Sequence, residues 1–184
     1  VGTLGLTFNN FSLRNIGKPK LWDPLPSGDG QRLNLQFQAN GALFQNYSFS
    51  FSEPWLGGKK PINFGVSLSH SIQRSLDAQR NVSGALKVSR ISLSLGKQLK
   101  WPDEYFSLIH SIGYTKYVID DFQSVLCSNC DAHNLNYTAT IGRNDVGINP
   151  NFPTRGSSIS LSGSFTPPWS LMDPSRENLT GQDR

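Results

Sequence analysis

The residues best suited to chemistry are Cys127 and Cys130, spaced C-x-x-C, with His133 three positions further on. That spacing is common among metal ligands, but a tetrahedral set needs a fourth donor, and His110 is the other nearby candidate. The same pair suits a disulfide in a surface loop of an oxidising compartment, with free thiols as the remaining alternative. We expect the Cys127–Cys130 loop disulfide. His70 and His110 stand alone on alternating stretches and read as interior or interface residues. Asp103-Glu104 and Asp120-Asp121 are adjacent carboxylates in turns or loops, without a base or nucleophile beside them. Gly57-Gly58-Lys59-Lys60 lacks the G-x-x-x-x-G-K-[ST] spacing of a phosphate loop and reads as a turn. The serines recur at every second position, which is how the polar side of a strand looks. No catalytic group, cofactor site or metal site is expected, and the chain does not read as an enzyme.

These residues are carried by strands. Between Ile62 and Ser71, Ile62, Phe64, Val66 and Leu68 alternate with Asn63, Gly65, Ser67 and Ser69, the period of a sheet with one apolar and one polar face. Similar alternation marks strands near residues 3–10, Gln31–Ala39, Gln45–Ser52, Ser89–Gly96, Asn134–Gly142 and Ser157–Phe165. A less regular strand spans about Tyr105–Val118, where Ile109 and His110 interrupt the pattern. Asn40-Gly41 is a strong hairpin signal. The odd loop Asn40–Ala42, pairing Ala39 with Leu43, is expected because it keeps every apolar residue on one face.

The 184 residues include 17 Gly and 36% apolar residues, with a net charge of +4. This composition disfavours helix. No apolar run is long enough for a membrane-spanning helix, but barrel strands average their two faces to mild hydropathy. The basic residues are scattered, without the clustered face that nucleic-acid binding needs. The chain opens in mid-strand at Val1 and closes on the polar stretch Asp173–Arg184, so we expect an internal piece of a longer protein.

Eight consecutive strands with short connections imply antiparallel, up-and-down neighbours. Alternate connections then share a rim: Arg14–Gly30, Glu53–Pro61, Lys97–Glu104 and Arg143–Gly156. Trp22, Trp55 and Trp101 fall there, with Lys18, Lys20, Lys59, Lys60, Lys97 and Lys100. Aromatics and long cations at one edge resemble a membrane-interface girdle. The polar faces carry Asn, Gln, Ser, Thr and Gly rather than the Lys/Glu pairs of a soluble sheet. Both features favour a transmembrane β-barrel over a soluble sandwich. In that barrel Leu33, Leu35, Phe37, Tyr47, Phe49, Phe51, Phe64, Val66, Leu68, Leu135, Tyr137, Ile159 and Leu161 face lipid.

Four stretches, NNFSLRN (Asn9–Asn15), WDPLPSGDGQ (Trp22–Gln31), QNYSFSFSEPWLGGKKP (Gln45–Pro61) and NFPTRGS (Asn151–Ser157), resemble the BamA family of outer-membrane assembly factors in its Bacteroidetes-type form. The resemblance implies that Glu53, Pro54, Trp55, Gly57, Gly58, Lys59 and Lys60, and Phe152, Pro153, Thr154, Arg155 and Gly156, form family-motif turns at the periplasmic rim. Arg155 would contact a partner or a lipid phosphate there, or be a solvated turn residue. Residues 1–184 would be about the second to ninth strands of a roughly sixteen-strand barrel, without its periplasmic domains or C-terminal half. The implied activity is folding and inserting client β-barrel proteins into the bacterial outer membrane by lateral gating and strand templating. The implied partners are outer-membrane lipid, clients, and periplasmic or lipoprotein accessory subunits. A secretion translocator of the same superfamily, and an ordinary porin or surface-antigen barrel, are the alternatives.

Overall fold

The computed structural model describes residues 1–56, 61–77, 81–122, 129–146 and 156–167. Eight strands form one antiparallel sheet in strict chain order: β1 (Gly2–Phe11), β2 (Gln31–Asn40), β3 (Phe44–Glu53), β4 (Ile62–Leu76), β5 (Val82–Gln98), β6 (Phe106–Asp120), β7 (Asn129–Asn144) and β8 (Ser158–Phe165). No α-helix occurs among the described residues, in keeping with the scarcity of good helix formers. Among the described residues, the outer sides of β1 and β8 pair with no other strand.

The β2–β3 turn has the expected odd parity but is set one residue further on, which moves the pairing register by two. Asn40 pairs with Phe44 and Ala39 with Gln45, so Gly41–Leu43 is the loop. Gly41 takes φ +56°, and the Leu43 N–H donates to the Asn40 carbonyl at 3.3 Å. Both registers keep the apolar side chains together. The observed one sets Phe37 opposite Tyr47, with ring centroids 4.9 Å apart; cross-strand aromatic contact is the gain.

The middle strands are much longer than alternation suggests. β4 and β5 run to 15 and 17 residues, and β7 begins at Asn129. Cys130 therefore lies in a strand rather than in a loop. Ile72–Leu76, Val82–Val88 and Asn129–His133 belong to the sheet although they lie outside the strands that alternation marks.

The β1–β2 connection folds into a small polar knot. Ser12 is fully buried; its Oγ donates to Asp29 Oδ2 at 2.6 Å and accepts from the Asn15 N–H at 3.2 Å. Buried Gln31 accepts the Leu13 N–H at 2.9 Å through Oε1. Trp22 Nε1 donates to the Asn15 carbonyl at 3.0 Å. Polar groups taken out of water here are paired, as burial requires.

Candidate membrane-facing surface and rim

Residues opposite one another in an antiparallel ladder share a face, so the register assigns each side chain to a side. One row runs through all eight strands: Phe8, Leu33, Phe51, Val66, Leu93, Ile112, Tyr137 and Phe165. Every member is apolar or aromatic. The neighbouring row on that side holds Leu6, Leu35, Phe49, Leu68, Ile91, Tyr114 and Leu135. All the residues expected to face lipid lie on this face. It is the open one: Leu93 and Ile112 are 44% and 51% exposed, whereas Thr115 on the opposite face is 2% exposed. A soluble sheet would reverse those numbers, since burial of the apolar face drives its packing.

The apolar belt does not run level across the sheet. The row Leu4–Phe37–Tyr47–His70–Ser89–Lys116–His133 is apolar in β1–β3 and polar or charged from β4 onward. At the other border, Ile62–Lys97–Leu108–Ile141–Leu161 is apolar in β6–β8, at a level that β3 does not reach. The belt thus slides along the strands from β1 to β8. Strands tilted by about 35–45° through a horizontal slab cross it at steadily shifting residues. A slanted belt is what a barrel wall in a bilayer needs.

Beyond the belt the faces exchange character. On the belt side of β5–β7 stand Lys87, Lys116, Asp120 and Asp131, with Lys87 Nζ 2.7 Å from Asp120 and Lys116 Nζ 3.1 Å from Asp131. On the other side stand Leu86, Val88, Tyr117, Ile119 and Ala132, where Ile119 is buried. Such an exchange is what a sheet would show if its belt face passed from an apolar surrounding into water, polar groups then becoming favourable on that face and apolar ones on the other. This inversion explains why the ends of β4–β7 escape a reading that assumes one apolar face throughout.

The three histidines all lie on the belt face. Each meets a tyrosine of an adjacent strand. His70 lies 6.4 Å from the Tyr47 ring and hydrogen-bonds Ser89 Oγ through Nδ1 at 2.8 Å. His110 Nδ1 lies 2.5 Å from Tyr137 Oη, and His133 Nδ1 lies 2.7 Å from Tyr114 Oη, each pair with stacked rings. Cys130 and His133 occupy opposite faces of β7, so they cannot share a metal ion. Cys130 is disulfide-bonded; Cys127 lies outside the described residues.

At the rim made by the β1–β2, β3–β4 and β5–β6 connections, Trp22, Trp55 and Trp101 are exposed, Trp101 by 82%. Glu53 ends β3, and Pro54 and Trp55 follow it; Gly57–Lys60 and Phe152–Arg155 lie outside the described residues. Gly156 has φ +97°, and an added Cβ would meet the Asp145 backbone. Alternation gave no hint of Arg143. Its guanidinium binds Asp103 Oδ2 at 2.9 Å and Asp145 Oδ2 at 3.2 Å and lies 5.5 Å over the Tyr105 ring. One side chain thereby joins the β5–β6 and β7–β8 connections. Arg143 donates to Asp103 and holds its carboxyl below the ordinary carboxylate value, against opposing desolvation and with help from the Tyr105 N–H.

The geometry has parallels among known proteins. Residues 27–181 match the Omp85 superfamily domain. The fold is similar to the crystal structure of BamA from Haemophilus ducreyi lacking POTRA domains 1–3, at 20% identity and a TM-score of 0.53. That match covers 90% of this chain and 31% of the other, so the chain spans about a third of its structural relative. No curated protein sequence gives a match. An open, up-and-down sheet with a slanted apolar belt, matched over most of its length by one family pattern, belongs to the Omp85 superfamily.

Proposed function

We propose that this chain is part of the outer-membrane barrel of an assembly factor that folds and inserts other β-barrel proteins. The belt running unbroken through eight strands carries the reading, because an exposed apolar face of that extent calls for an apolar surrounding, and superfamily membership favours lipid as that surrounding. Superfamily membership supports the outer membrane as its location. The work needs no covalent step. In lipid an unpaired strand edge leaves its N–H and C=O groups without partners, so a barrel that parts between two strands offers an edge to a client strand. Client barrels, accessory subunits and surrounding lipid are then the partners. The rim tryptophans and lysines anchor the periplasmic side at the interface. Arg155 would meet a partner or a lipid phosphate there.

Depletion of the full-length parent, followed by quantification of the outer-membrane proteome, tests this. Loss of many unrelated barrels together is expected. Loss of one exported partner with other barrels intact would instead identify a secretion translocator.

A further inference from the structure

Along the ladders, the face opposite the belt is built almost wholly from uncharged groups. Among the described strand residues it carries Arg32 and Arg90 and no Asp or Glu. Arg90 stands in the row Gln36–Ser48–Ser69–Arg90–Thr115–Asn134. Its Nε donates to Thr115 Oγ1 at 3.2 Å, and no carboxylate neutralises it among the described residues.

Around it lies a cleft of about 350 Å³ lined by Ser92, Ser111, Thr115, Asn134, Asn136 and Ser164, among others. Gly113 keeps the floor open, since a Cβ there would come 2.6 Å from Asn136 Oδ1. The Asn134 Oδ1 is buried and has no hydrogen-bond partner among the described residues. The cleft therefore presents a guanidinium fork that wants an anion and, one strand beyond Thr115, an acceptor that wants an N–H. Sulfate, which has no donor, would answer the first and not the second. An acidic side chain on an extended polypeptide answers both: its carboxylate meets Arg90 in the bidentate geometry that guanidinium favours, and a nearby backbone N–H meets Asn134.

We infer that Arg90, Thr115 and Asn134 form a receptor for an Asp or Glu side chain of a polypeptide lying in the barrel interior. This rests on reading the polar face as that interior. The segment comes either from elsewhere in the parent chain or from a separate polypeptide.

The test places a photo-crosslinking amino acid at Ser92 in the full-length parent, in cells, and identifies the adducts by mass spectrometry. Attachment within a few residues of an Asp or Glu is expected. Mapping to the parent or to another protein names the source, and both support the site. Arg90→Gln should lower adduct yield about tenfold, the scale of losing a charged hydrogen bond, and Arg90→Lys should lower it less. Heat-modifiable migration on gels checks separately that each variant still forms its barrel. Should Arg90→Gln fail that check, Thr115→Val, which removes the oxygen orienting the guanidinium, should reduce the yield in its place. An unchanged yield in the folded variants, attachment sites without a nearby carboxylate, or adducts to lipid alone would overturn the proposal.

Discussion

Arg143 on β7 and Asp103 in the β5–β6 connection meet at 2.9 Å across forty positions of sequence, and the same guanidinium reaches Asp145 at the end of its own strand. Two neighbouring turns of one rim are thereby held in fixed relation.

Asp103→Asn should destabilise the parent barrel in a pH-dependent way. The Asp103 carboxyl titrates below its ordinary value of 3.8, so its stabilising contribution is fully present above that value. It is lost as pH falls through the lowered value. The stability gap between parent and variant, measured by urea unfolding in detergent, should be constant near neutrality and close below 3.8. A gap that persists unchanged in strong acid would reject the pairing.

Charge on the belt should be costly where charge on the other face is not. Ile112→Lys places an ammonium in the central belt row, at a cost of about 2–4 kcal/mol if that row lies at the bilayer midplane. Ser92→Lys, on the opposite face of the adjacent strand, should be nearly neutral. Heat-modifiable migration and folding yield in lipid would compare them, and equal tolerance would contradict the assigned faces.

Gly156→Ala should weaken the β7–β8 turn. The position needs φ +97°, and its added Cβ would press on the Asp145 backbone, which is pinned by its own N–H bond to the Ser157 carbonyl at 3.0 Å. A cost of about 1–3 kcal/mol follows from the conformation alone. Wild-type stability in Gly156→Ala would mean the turn adopts another shape.

The disulfide of Cys130 should be visible chemically. Alkylation of the denatured parent under non-reducing conditions should label neither Cys127 nor Cys130, and reduction should expose both. Labelling of Cys127 alone before reduction would show that Cys130 has a different partner.

Much of the sheet was legible because alternation is a local signal. Ile62–Leu68 and Leu135–Ile141 declare both their faces and their parity without any knowledge of their neighbours. The register of the β2–β3 turn was not legible to the residue, because a shift of two preserves every face and is chosen by contacts such as Phe37–Tyr47. The outer parts of β5 and β7 were missed for a different reason. Leu86, Val88, Asp131 and Ala132 obey period two but with the faces exchanged, and that exchange has meaning only once the belt is known. The Arg143 brace, the histidine–tyrosine pairs and the Arg90 cleft each join residues from different strands. Spacing along the chain does not encode them.

The slant of the belt constrains how such a wall could grow. Inserting a duplicated hairpin between β4 and β5 would offset every later strand against the bilayer unless the new pair carried apolar windows displaced by the same slope. Copying alone would strand charged residues in hydrocarbon on one side and apolar ones in water on the other. Enlargement of a barrel of this kind therefore calls for duplication together with a coordinated sliding of sequence pattern. The slope of the belt acts as an inherited gauge that each added strand must match.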